Sequence, residues 1–126
     1  MENNIQKYVE SIEQFYLENG IQIDQMPRVV LDNEDQGIDN PFIKTGHFDP
    51  KNNEIVLFVN GRHLKDVLRT LCHELIHASQ YTVDPDSFTT LGYGPLEEDP
   101  ELEQIESDAF TRGNLMFRRW TEQYTF

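Results

Sequence analysis

A chain of 126 residues with a net charge of −13 and 37% hydrophobic residues suits one globular domain, residues 1–126, around a single core. The charge argues against nucleic-acid phosphate or an anionic membrane surface as the main partner, and eight Phe with five Tyr argue against a disordered acidic tail. The lone cysteine, Cys72, rules out an internal disulfide. The opening MENNIQKYVE carries no basic or apolar leader pattern and no window reaches membrane-spanning length, so a reducing, cytoplasmic setting is expected.

Residues 3–19 place Ile5, Tyr8, Val9, Ile12, Phe15 and Tyr16 at helical spacing, and Gly20 supplies a stop. The best short strand that follows is MPRVVLD. The stretch DNEDQGIDNPF (residues 32–42) reads as an acidic solvated loop, without the spacing of an EF-hand. Residues 42–48 and 54–60 read as two strands joined by a hairpin loop at 49–53. The second, EIVLFVN, is apolar enough to be covered on both faces. Asn60-Gly61 then turns the chain into a helix.

That helix, LKDVLRTLCHELIHASQY (residues 64–81), contains the pattern H-E-x-x-H as His73, Glu74 and His77. At about 100° per residue, Leu64, Val67, Leu68, Leu71, Leu75 and Ala78 form one stripe. His73 and His77 leave the other, polar flank together with Asp66, Arg69, Thr70 and Gln80. Residues four apart sit one turn above each other, so both imidazoles point the same way and can share a Zn²⁺ ion. The adjacent Glu74 is then placed to act as general base on a zinc-bound water. The competing reading is two ordinary surface histidines beside a solvated acid. Cys72 points roughly 100° away from His73 and reads as a buried inert thiol.

Residues 82–99 are irregular and acidic, a long loop able to cover a cleft. A last helix spans about 101–122. A catalytic zinc site needs a third protein ligand, and no His follows His77, so a carboxylate must serve. Leu102, Ile105, Ala109, Gly113, Met116, Phe117 and Trp120 form the apolar stripe of this helix, with Glu106 in its middle. A lone acid there requires a cation, either zinc or an Arg such as Arg69. Glu103, at the stripe's edge, is the second candidate, and Asp108 projects away. Ala109 and Gly113 permit close approach to the His73 helix.

With His73, Glu74, His77 and Glu106 quoted, the chain resembles the gluzincin group of zinc metallopeptidases, and most of all its small single-domain members, the minigluzincins. The resemblance spans roughly residues 42–113 and includes E-x-x-A at residues 106–109. It implies His73, His77 and Glu106 as ligands, Glu74 as base, and substrate bound as an extra strand along a sheet edge. Many relatives place Asp or Asn four residues after the third ligand to brace a histidine; here Phe110 stands there, and that brace is unassigned. The similar SprT-like group takes a third His, which this chain lacks. Tyr93-Gly94 echoes a family whose third ligand is Asp, but no Asp stands in the required place.

The expectation is therefore an α+β, zincin-like fold: a small, mostly antiparallel sheet packed on the HExxH helix, with the first and last helices around it. The expected function is zinc-dependent hydrolysis of peptide or protein substrates. Tyr93 is the preferred stabiliser of the developing oxyanion, ahead of Tyr81, His47 and His63. The acidic run at 97–99 suggests Lys or Arg near the cut site. The alternative is a non-enzymatic acidic binder, such as a DNA mimic or inhibitor, with zinc in a structural role.

Overall fold

All six apolar positions of the first stripe are buried in the structure, a computed structural model that describes residues 2–34, 45–86 and 100–124. They line one face of helix α1 (Glu2–Glu18). The helix stops where Gly20 adopts a φ of 77°, a left-handed conformation that disfavours any residue with a Cβ.

Strands β1 (Arg28–Asp32), β2 (Gly46–Asp49) and β3 (Glu54–Phe58) form a sheet in the order β1-β3-β2. The hairpin is present, with β2 antiparallel to β3 and Gly46 opposite Leu57. The expected mostly antiparallel sheet is corrected, because β1 lies parallel to β3, with Arg28 opposite Glu54 and Asp32 opposite Phe58. The reason lies in which strand deserves the centre. β3 carries Ile55 and Leu57, both fully buried, whereas β2 carries Gly46, His47 and Asp49. Burying a polar strand in the middle would cost more, so β3 takes the centre and β1 joins its far side. Coverage of β3 is also uneven: Ile55 and Leu57 are buried while Glu54, Val56 and Phe58 are half-buried.

A turn through Gly61, at φ 71°, leads into helix α2 (Leu64–Val83). Its N-cap residue, His63, makes no side-chain capping bond. Arg62 instead ties this end to the sheet, donating to the Thr45 and Phe58 carbonyl oxygens and, on the helix, to the Asp66 carbonyl and Thr70 Oγ1, all within 2.9 Å.

Helix α3 (Pro100–Gln123) packs antiparallel on α2, since Gln80 meets Ile105 and Asp108 while Arg69 lies over the Phe117 ring. The approach is as close as the small residues of α3 suggest. A Cβ added to Gly113 would stand 2.9 Å from the His73 Cα, so only glycine fits there. On the other side of α2, a Cβ on Gly46 would stand 2.7 Å from Thr70 Cγ2, which brings β2 against the turn that precedes His73.

The core joins α1, β3, α2 and, from α3, Ala109, Met116, Phe117 and Trp120. Trp120 donates its Nε1–H to Ser11 Oγ and stacks on Tyr124 at 4.8 Å, and the Tyr16 hydroxyl donates to the Cys72 carbonyl at 2.7 Å. Among the described residues no helix is long and apolar enough to cross a membrane. Residues 35–42 of the acidic loop, the first residues of the expected strand 42–48 (through 44), Tyr93 and the acidic run 97–99 lie outside the described residues.

Candidate metal centre

Helical geometry alone stacks His73 and His77, and their rings stand 4.8 Å apart between centroids at 79°. The ligating atoms of His73, Glu74 and His77 lie within 4.8 Å of one another, a grouping able to hold a metal ion. From the facing helix, Glu106 reaches both imidazoles: Oε1 stands 2.8 Å from His77 Nε2 and Oε2 stands 3.3 Å from His73 Nε2. The sequence-predicted pair and the predicted third acid are thus brought together. Glu103 is solvent-exposed, and Arg69, the rival partner for Glu106, pairs instead with Asp66 at 2.9 Å.

Two features differ from the sequence expectation. The histidines were expected on a polar flank, yet His77 and Glu74 are each only 5% exposed. Helix α3 covers that flank, and Ala109 and Gly113 let it come close enough to do so. Glu106, in turn, was expected deep in an apolar stripe, but its side chain is 40% exposed. Burial fades toward the N-terminal end of α3, where Leu102 and Ile105 are only half-buried, so the acid stands at the mouth of the site.

The electrostatics follow from this layout. Hydrogen bonds from His73 and then His77 hold the Glu106 carboxyl far below the usual carboxylate range, against the effect of its partial burial. Burial by itself would depress the His77 imidazolium. The hydrogen bond to Glu106 and the charges of Glu74 and Glu106 outweigh it, and the pKa lies above the usual histidine value. Desolvation dominates at Glu74 and pushes its carboxyl up, against the pull of both histidines. A carboxylate raised by burial beside two imidazoles is the kind of perturbed acid that functional sites collect.

Residues that the sequence reading did not assign complete the surroundings. His77 Nδ1 lies 2.8 Å from Gln80 Oε1, Gln80 Nε2 donates to Asp108 Oδ2 at 2.8 Å, and Arg112 grips Asp108 through two N–H groups at 2.8 and 2.6 Å. The guanidinium holds Asp108 below its ordinary value. A signal for this existed: Gln80 follows His77 by one turn, and Asp108 and Arg112 are spaced as an i, i+4 ion pair. Asp108 does project away from the apolar stripe of α3, and does so toward Gln80.

The remaining sequence candidates are spread out. His47 on β2 and His63 before α2 are exposed. Tyr81 packs edge-on to Phe48 at 6.1 Å. Phe110, at the position where the resemblance led one to expect a bracing acid, is 65% exposed. Cys72 is fully buried, as the sequence suggested, its thiol pushed up to about 12 by desolvation. Compared with family models, with curated proteins and with solved structures, the chain matches none.

Proposed function

We propose that this chain is a zinc-dependent metallopeptidase of gluzincin type. The observation that carries the reading is the convergence of two imidazole nitrogens from α2 and one carboxylate from α3, at 2.8 and 3.3 Å, beside a buried second carboxylate. Two neutral imidazoles and a carboxylate are a donor set that suits zinc, with His73, His77 and Glu106 as ligands. Zinc supplies Lewis acidity when bound, making a water molecule more acidic and polarising a carbonyl oxygen.

The chain's own residues account for the rest of the chemistry. Glu74, poised by burial, takes a proton from the attacking water at its carboxylate and returns it to the leaving amine. Gln80 holds His77. Strand β2 pairs only with β3 among the described residues, and packs beside the stretch of α2 that bears the histidines. An extended peptide laid along its other edge would be held by backbone hydrogen bonds next to the site. Tyr93 keeps its place as the candidate oxyanion donor on sequence grounds.

A non-enzymatic acidic binder with a structural zinc draws support only from the charge of −13. Structural zinc sites are closed by four protein ligands, whereas a buried general-base candidate beside three donors is a catalytic pattern. The test is metal content with peptide cleavage. The purified protein should carry about one zinc per chain, and Glu74→Gln should keep that zinc while hydrolysis falls by roughly 10²–10⁴-fold. Glu106→Ala should lose zinc and Glu103→Ala should not. Full cleavage by the Glu74→Gln protein would remove Glu74 as base, and metal-independent, steeply salt-dependent capture of basic proteins would favour the binder.

A further inference from the structure

The direction of every hydrogen bond behind His77 can be worked out from one end. Arg112 has only donors, and two of them engage Asp108 at 2.8 and 2.6 Å, which leaves Asp108 as a carboxylate able only to accept. Its Oδ2 faces one end of the Gln80 side-chain amide at 2.8 Å, and the Ile105 carbonyl oxygen faces the same end at 3.0 Å. Neither group has a hydrogen to give. That end of the amide must therefore be its NH₂, and the oxygen must point to the other side.

The other side is His77 Nδ1, 2.8 Å from Gln80 Oε1. An amide oxygen has no hydrogen, so the contact is a hydrogen bond only if Nδ1 supplies one. We infer that Arg112, acting through Asp108 and Gln80, positions His77 with Nδ1 protonated and Nε2 turned toward Glu106. Whichever proton or cation lies between Nε2 and Glu106, Nδ1 keeps its hydrogen.

A second consequence concerns the facing helix. Gln80 is bonded to the carbonyl of Ile105, the residue before Glu106, and to Asp108, two residues after it. One side chain on α2 thus orients an imidazole and also fixes the segment of α3 that carries the third acid. This is a brace on His77, made by an amide that carries no charge of its own; the position expected from the resemblance, Phe110, takes no part in it. Gln80, Asp108 and Arg112 are positioning residues. The order of the hydrogen bonds stands on geometry alone, while its value for metal binding rests on the metallopeptidase reading.

The experiment uses the whole chain, with zinc alone as the probe. In the metal-free, ¹⁵N-labelled protein, the His77 Nδ1–H should be visible and protected from exchange, and Gln80→Leu should lose that protection. Zinc affinity, measured by chelator competition, should fall about 10–100-fold in Gln80→Leu. Gln80→Glu should fall as well, because its second oxygen would face Asp108 and the Ile105 carbonyl. Arg112→Leu, which leaves Gln80 and His77 in place but frees the Asp108 carboxylate, should also weaken the Nδ1–H protection and lower zinc affinity. A purely packing role for Gln80 predicts no effect of Arg112→Leu on the Nδ1–H.

An Nδ1 without hydrogen in the wild-type protein would overturn the inference, as would unchanged zinc affinity in Gln80→Leu or an Nδ1–H as well protected in folded Arg112→Leu as in the wild type. A wild-type protein that shows the protected Nδ1–H but binds no zinc would uphold the hydrogen-bond order and overturn the metal reading instead.

Discussion

Toward the C-terminus of α3, Met116, Phe117 and Trp120 are buried among the aromatic and aliphatic side chains of α1 and α2. Toward its N-terminus the same helix presents Glu106, Asp108 and Arg112 to His73, His77 and Gln80. The first region stabilises by removing apolar surface from water, roughly 1.5–3 kcal/mol for each large side chain. The second requires partly desolvated charges, offset only by mutual hydrogen bonds of defined direction. Gly113 lies between them and sets the helix separation for both. Stability and chemistry are thus divided along one helix pair, so substitutions at the two ends should have separable effects.

Breaking the apolar end should give the largest stability change. Trp120→Ala removes a side chain that stacks on Tyr124 and hydrogen-bonds Ser11, and should cost about 3–5 kcal/mol in urea unfolding. An unchanged denaturation midpoint would show that the two ends are not divided as described.

The buried thiol provides a pH handle on the same region. Burial raises the folded-state pKa of Cys72 to about 12, and that of Tyr16 moves in the same direction. A group whose folded pKa is raised contributes stability that is fully present below its unfolded pKa and is lost as pH rises toward the folded value. Between pH ~8.5 and ~10.5 the fold should therefore lose about 2–3 kcal/mol through Cys72. Cys72→Ala should remove the larger part of that alkaline loss, as read from urea midpoints at both pH values.

Gly113→Ala tests the point where the two regions meet. In an exposed helix the change would stabilise by up to about 1 kcal/mol. Here the new methyl meets the α2 backbone at His73, so a loss of about 1–3 kcal/mol is expected, together with weaker zinc binding as Glu106 moves from the histidines. Stabilisation would refute the close approach. The smallest effect is expected from Phe110→Ser: the ring is exposed, so stability should change by less than about 0.5 kcal/mol and zinc affinity should hold.

Much of this organisation was legible in advance because it is local. The stripe of α1, the hairpin, and the joint projection of His73 and His77 follow from periods of 3.6 and 2 and from the glycines that end elements. Glu106 could be chosen over Glu103 because a charged residue within an apolar stripe demands a partner. What it would meet could only be narrowed to an ion or an arginine, and the sequence did not reveal that Asp66 would occupy Arg69.

Amino-acid order alone determined which residues share a helix face, and hence that two imidazoles and an acid were available to meet. Tertiary structure decided the parallel pairing of β1 with β3, the burial of His77 and Glu74 beneath α3, and the bonds that run from Arg112 to His77. The physical reason is range. Helical phase is set within a few residues, but strand order and the direction of an amide depend on groups some thirty residues apart, whose meeting is specified only once the core has packed.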